Sequence, residues 1–320
     1  MNNLRKIGLS ALAGSLATFS VNAADLSVSG SASISFDDTN RGFGDRGNSF
    51  YKGDSLKFNG SGETDGGLGV AVYYELDGTA SMDDHKLTLT GGFGTLVFDG
   101  HGGSSAFGAI DDKTPNAYEE AWAVVDTDGT SATGSATVIN GAGGNNMFIY
   151  TSPSMGGAVF QAAYQNHGSA AAESYTDYSV VISPEGIDGL TVGAGIADHT
   201  VAAAASTDVE ENTIFATYAI GSMTIGVQFS DYDHSTANSD QESTAIGISY
   251  AVNDDISVSY NMHELETELS TDEDQESTGI SASFTSGGMT LAGSMNDVDN
   301  IAGTATRDAE GYEFTLSFAF

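Results

Sequence analysis

The chain is 320 residues long and carries 9 Lys+Arg against 44 Asp+Glu, a formal charge of −35. That balance excludes a nucleic-acid ligand, which demands basic groups to release counterions from phosphate, and the absence of cysteine excludes thiol chemistry and thiolate metal centres. Sixteen Phe, 13 Tyr and regular alternation separate the chain from acidic disordered sequences, while 41 Gly against 3 Pro suit many strands joined by tight turns.

Residues 1–23 open with Arg5 and Lys6, continue through an apolar stretch from Ile7 to Phe19, and end on the small-residue site Val21-Asn22-Ala23. This predicts a secretory signal peptide cut before Ala24. The stretch is shorter and less apolar than the roughly 20 residues a membrane-spanning helix needs. Its removal leaves 7 Lys+Arg against 44 Asp+Glu, a charge of −37, on a mature chain 24–320 that reads as one domain.

Alternating apolar and polar residues then predict sixteen strands. They fall at about 25–37, 54–64, 68–77, 84–91, 94–101, 146–152, 158–166, 176–184, 189–198, 212–220, 223–232, 243–252, 255–265, 276–286, 288–296 and 310–320. Short connections such as Gly92-Phe93 and Gly221-Ser222 mix with long ones such as 199–211 and 297–309. An even strand count with short turns at one end and long loops at the other is the signature of a transmembrane barrel. In the last strand Tyr312, Phe314, Leu316, Phe318 and Phe320 share one face and Glu313, Thr315, Ser317 and Ala319 the other. It resembles the carboxy-terminal sorting signal of bacterial outer-membrane proteins.

After the fifth strand, residues 102–145 lose the alternation, and a stretch this long without strands is usually functional or disordered. Within it Pro115 to Trp122 reads as a short helix, and the segment as a constriction loop folded into the lumen, because a sixteen-stranded barrel encloses an aqueous channel that must be narrowed to discriminate solutes. The fold expected is therefore all-β: a 16-stranded antiparallel transmembrane β-barrel with a long third external loop folded into the lumen.

The leader, the sixteen strands, the long third loop and the terminal Phe320 together resemble a Gram-negative general diffusion porin of the alphaproteobacterial type. Gly92-Phe93-Gly94-Thr95-Leu96-Val97-Phe98-Asp99-Gly100 is similar to that family's turn and strand before the constriction loop. The family often lines the fifth strand with arginines, where this chain has Val97, Asp99 and His101. The resemblance implies a homotrimer in the outer membrane, in contact with lipid and lipopolysaccharide, passing small hydrophilic solutes.

Alternation also assigns faces. Leu56 and Phe58 turn Lys57 inward, Leu87 and Leu89 do the same for Lys86, and Val72 and Tyr74 for Glu75. If the long loop bends inward, Asp111, Asp112, Glu119 and Glu120 face Lys57 and Lys86 across a constriction, giving a transverse field. The acid excess, placed in a low-dielectric tube, predicts a cation-preferring channel for passive diffusion of ions and small solutes. Acid runs on external loops (Asp37-Asp38, Asp83-Asp84, Glu210-Glu211 and Asp272-Glu273-Asp274) offer hard oxygen ligands for Ca²⁺ or Mg²⁺; no other cofactor is expected. Lone Trp122 reads as a packing anchor for the loop.

A solute-specific channel and a non-conducting structural or adhesive barrel share these features. An enzyme is not expected, because His85, His101, His167, His199, His234 and His263 stand in no recognisable catalytic motif beside a serine or acid.

Overall fold

The computed structural model describes residues 25–41, 49–78, 81–123, 139–166, 174–201, 207–235, 237–268 and 273–320. The expected signal peptide lies outside them. Sixteen antiparallel strands close into one barrel: β1 (Asp25–Arg41), β2 (Ser49–Glu63), β3 (Gly69–Asp77), β4 (Ser81–Gly91), β5 (Gly94–His101), β6 (Met147–Thr151), β7 (Ala158–Gln165), β8 (Tyr175–Ile182), β9 (Leu190–Val201), β10 (Thr207–Ile220), β11 (Met223–His234), β12 (Gln241–Ala251), β13 (Ile256–Thr267), β14 (Gln275–Ser286), β15 (Met289–Asp299) and β16 (Ala309–Ala319). Each strand pairs with its neighbours in sequence, and β16 pairs with β1 in a register from Ser31↔Ala319 to Arg41↔Ala309. Backbone bonds between Gly30 and Phe320, at 2.8 and 3.0 Å, finish the seam. Closure leaves no open edge, the condition for a sheet to cross hydrocarbon.

Burial is inverted relative to a water-soluble sheet. Ile214, Phe229, Ile246, Met262, Ile280 and Met295 are exposed on the outer surface, while Thr213, Gln228, His263, Ser281 and Asn296, their immediate neighbours in the chain, are buried within. Exposing that much apolar side chain to water is unfavourable by about 25 cal/mol per Å², and lipid removes the cost. The turns at the opposite end from the long loops are tight: between Ser286 and Met289 only Gly287 and Gly288 intervene, and Gly287 takes φ +61°, a conformation costly for other residues.

Strand number and order follow the sequence expectation, but several strands run further than alternation indicated. β2 begins at Ser49 rather than near 54, β10 at Thr207 rather than near 212, and β15 continues to Asp299. All these extensions lie at the long-loop end. In β10 and β15 the outward positions change there from apolar to acidic, so the hydropathy signal stops while the backbone ladder continues, as in Asp198↔Glu210 and Glu210↔Asp233.

This change repeats around the barrel. Outward apolar runs end in Asp198 after Ile196, Asp231 and Asp233 after Phe229, Glu264 and Glu266 after Met262, and Asp297 and Asp299 after Met295. Much of the chain's acidity therefore forms a collar on the outer surface above the lipid-facing band. The sequence reading had placed the acid excess within the tube. The correction follows from the two-residue period, which keeps these acids on the same face as the isoleucines below them.

Candidate functional site

The lumen is shaped by the chain that leaves β5. Gly103 and Ser104 pair with Gly144 and Gly143 at the root of the long loop, and residues 105–123 then run along the inner wall from β8 to β16. Lumen-facing side chains bind the loop backbone at successive strands. Asp177 on β8 accepts from Ala106 N at 3.1 Å and Phe107 N at 2.7 Å. Gln228 on β11 donates to the carbonyls of Ile110 and Asp111, both at 2.8 Å, and accepts from Lys113 N at 2.7 Å. Ser259 and Asn261 on β13 hold Ala117 N and Pro115 O, Ser281 on β14 accepts from Tyr118 N, and Asn296 on β15 donates to Glu120 O at 2.7 Å. Each bond satisfies a backbone group that burial would otherwise leave unpaired, a loss of about 1–3 kcal/mol per group.

These anchors correct one expectation. Residues 115–122 form no helix, and the loop's regular turn is a 3-10 segment at Gly108–Ile110. The carbonyls and N–H groups a helix would pair internally are taken by the wall instead.

Apolar contacts complete the docking. Phe107 and Ala106 are fully buried against Met147, Ala163, Tyr175 and Ala197 from the inner wall. Trp122 is buried with its ring 4.6 Å from that of His263, whose Nε2 lies 3.0 Å from Ser243 Oγ. A second external connection also turns inward: Ile301 and Ala302 pack on Val298 and Ala309, and Gln275 accepts from Ala302 N.

Among the described residues, the wall free of these anchors belongs to β2–β5. Lys57 faces Glu75 directly across the β2–β3 ladder, with Nζ 3.6 Å from Oε1, and Tyr73 donates its phenol to the same carboxylate. Lys86 lies opposite Tyr73 with Nζ 4.9 Å from the ring centroid, and its other ladder partner is Asp99.

The predicted residues thus separate into three places. Lys57, Glu75 and Lys86 form one inner-wall group. Asp111 and Asp112 sit by the β11 anchor, and β11 is eight positions from β3 in the ring of sixteen, halfway round the lumen. Glu119 and Glu120 lie by β14 and β15, three to four strands from β2 rather than opposite it. Burial pushes Asp111 up to about 6, and also raises Asp112, whose Oδ1 accepts from the backbone and hydroxyl of Thr114 at 3.0 and 2.8 Å. Burial, then the bond to Glu313, raises the phenol of Tyr118.

The predicted calcium pair divides. Asp37 points inward and accepts from Ser49 Oγ at 2.5 Å, whereas Asp38 points outward and accepts from Tyr312 OH at 2.9 Å. Successive residues of a strand face opposite sides, so the two carboxylates do not converge on one ion. Asp272 lies outside the described residues; Glu273 is exposed, and the Asp274 carboxylate comes together with those of Glu264 and Glu266.

Asp177, Gln228, Asn261, Asn296 and Glu313, the residues that seat the loop, were not singled out from the sequence. The available signal was an amide or acid on the inward parity of a strand, which alternation treats as simply polar.

The family profile described as Gram-negative porin matches residues 8–275. The chain belongs to the Gram-negative porin family. The anion-selective porin from Comamonas acidovorans superposes with a TM-score of 0.71 at 17% identity, covering 93% of this chain and 100% of that one. OmpT of Vibrio cholerae in its trimer form gives 0.68 at 13% identity, covering 93% and 100%. A triple mutant of Rh. blastica porin gives 0.63 at 14% identity, covering 92% and 100%. At these identities the likeness shows the fold alone. No curated protein matches the sequence. In this porin the fifth strand carries Asp99 and His101 on its inner face, so its wall chemistry rests on its own residues.

Proposed function

We propose that this porin forms a water-filled channel in the outer membrane of a Gram-negative bacterium, reached by export with residues 1–23 as signal peptide, and that ions and small hydrophilic solutes diffuse through it passively with a preference for cations. The observation that carries the reading is the seating of residues 105–123 on the wall from β8 to β16, which leaves the opposite wall open beside Lys57, Glu75 and Lys86. Residues 102–145 are then the constriction loop, and the passage runs between its acids and that wall. Acids exceed bases over the passage as a whole, since Glu75 and Asp99 accompany Lys57 and Lys86 on the wall while Asp111, Asp112, Glu119 and Glu120 outnumber Lys113 on the loop. Fixed charge of one sign in a narrow aqueous path enriches the opposite ion.

The outer collar supports a lipid partner. Its acids meet the level of anionic lipopolysaccharide headgroups, so contact needs Mg²⁺ or Ca²⁺ between like charges, ions that favour oxygen ligands. Assembly as a homotrimer completes the reading, and a trimer form is named for one structural neighbour.

Single-channel recording in a planar bilayer under a KCl gradient tests it. Steady open channels that step in threes and reverse towards the K⁺ potential are expected. A correctly folded barrel that does not conduct would overturn the channel reading in favour of a structural or adhesive one, and reversal towards the Cl⁻ potential would overturn the cation preference alone.

A further inference from the structure

An irregularity at the long-loop end of β4 adds Asp83 to a side-chain cluster that the β3–β4–β5 register begins. Tyr74 pairs with His85 and Leu76 with Met82, so Asp83 and Asp84 together stand opposite Glu75 alone. Two residues against one is a β-bulge, and it brings two neighbouring carboxylates towards one inner-wall residue. On the other side of β4, Lys86 pairs with Asp99, a register whose regular continuation sets Asp84 opposite His101; Gly100 is an extra residue there, so His101 pairs with His85, yet its ring stays beside both carboxylates. His101 Nδ1 lies 3.9 Å from Asp83 Oδ1 and 3.8 Å from Asp84 Oδ1, and the three potential ligand atoms lie within 4.8 Å of one another.

From this geometry we propose that Asp83, Asp84 and His101 bind a divalent ion of the zinc class at the root of the inward loop. Zinc bonds to imidazole nitrogen and carboxylate oxygen are about 2.0–2.2 Å long and in a tetrahedral site set ligand atoms roughly 3.4 Å apart, so side-chain shifts of about half an ångström let these groups share one ion. An imidazole in the set disfavours Ca²⁺ and Mg²⁺, which take oxygen ligands, and favours zinc or a first-row transition ion. His101 is half-exposed, which leaves water access for an incoming ion.

Asp99 supplies an independent observation. It is 2% exposed, its Oδ1 has no hydrogen-bond partner among the described residues, and Asp84 and the backbone N–H of His101 are among its neighbours. A buried carboxylate oxygen without a partner is costly, and a cation beside it removes the cost. The following glycines make room for this arrangement. Any side chain at Gly102, which takes φ +78°, would fall on the Asp84 carboxylate, and any at Gly103 on that of Asp99. An ion here would offset the crowding of Glu75, Asp83, Asp84 and Asp99, which Lys57 and Lys86 balance only in part, and would fix the chain where it leaves the barrel wall.

The test is calorimetric titration of ZnCl₂ into the folded, chelator-treated barrel in detergent, with excess MgCl₂ present, alongside His101→Ala and Asp84→Asn. One zinc ion per chain is expected, insensitive to Mg²⁺, with affinity reduced about tenfold or more in each variant, the usual cost of disturbing a metal's ligand shell. Both variants are checked for the folded barrel by resistance to SDS unfolding without heat. Zinc binding that is unchanged in His101→Ala, that Mg²⁺ displaces as on the outer collar, or that is absent would overturn the proposal. Binding is read without current, so neither outcome depends on whether the barrel conducts.

Discussion

The phenol of Tyr118, in the inward loop, donates to the carboxylate of Glu313 on the last strand, 195 positions later in the chain. Thr315 Oγ1 accepts from the same phenol at 2.7 Å, and Tyr51 on β2 donates to Glu313 from the other side at 2.5 Å. One carboxylate therefore ties the loop to the barrel's closing seam. Hydrogen bonds to charged groups contribute about 1.5–3 kcal/mol. Tyr118→Phe should leave the barrel folded and increase open-channel current noise as the loop loosens, measured in single-channel traces. Noise equal to wild type would show that the other anchors suffice.

The chain's single tryptophan reports on the same docking. Trp122 is buried against His263, and Asn296 holds the neighbouring carbonyls of Glu120 and Ala121. Asn296→Ala should shift Trp122 emission to the red as water reaches the indole, with far-ultraviolet circular dichroism unchanged. Unshifted emission would mean that the Asn296 bonds do not hold this part of the loop.

Lys57 offsets Glu75 on the inner wall. In bulk water a unit charge 10 Å from an ion's path changes its energy by about 0.4 kcal/mol, roughly twofold in relative entry, and salt reduces this further. Lys57→Ala should therefore raise the K⁺/Cl⁻ permeability ratio by up to about fourfold at low ionic strength, roughly twofold through each ion. The reversal potential under a KCl gradient measures it, and an unchanged value would place Lys57 outside the conducting path.

Burial holds Asp111 at about 6, with Asp112 and Lys113 beside it and Glu211 of β10 nearby. A carboxyl with a raised value is neutral below it and charged above it. Lowering the pH from 7 to 5 should thus remove negative charge from the loop and weaken cation preference in a step centred near 6. Linkage has the same sign: the native loop holds this proton more tightly than an unfolded one, so docking loses stability as pH rises through the window between the ordinary aspartate value and 6. Asp111→Asn should flatten the step in reversal potential against pH, and a step of full size in that variant would assign it to another group.

The collar makes a separate prediction. Glu242, Glu264 and Glu266 are exposed on the outer face, away from the lumen, so changing all three to Gln should reduce the lipopolysaccharide that copurifies with the barrel in Mg²⁺ and leave conductance unchanged. Equal lipopolysaccharide in the variant would remove the collar from lipid binding.

Alternation made the barrel legible. Pairs such as Leu56 and Lys57, or Tyr74 and Glu75, declare their faces because a strand has a strict period of two and because lipid and water place opposite demands on those faces. The same rule explains why sixteen strands could be counted and why their acidic ends were read too short.

The loop was legible only as an interruption. Its length marked it for function, but its path depends on Asp177, Gln228, Asn261 and Asn296, which lie from 70 to 176 positions away in the chain and become neighbours only when the ring closes. The meeting of Asp83 with Asp84 and His101 likewise needs the bulge opposite Glu75, and a bulge is a mismatch between two strands that neither strand carries alone. The sequence by itself determined which residues face lipid and which face water, because that choice is local and repeats every two residues. Tertiary structure decided which inward residues meet and where the loop lies, because those depend on register and closure across the whole ring.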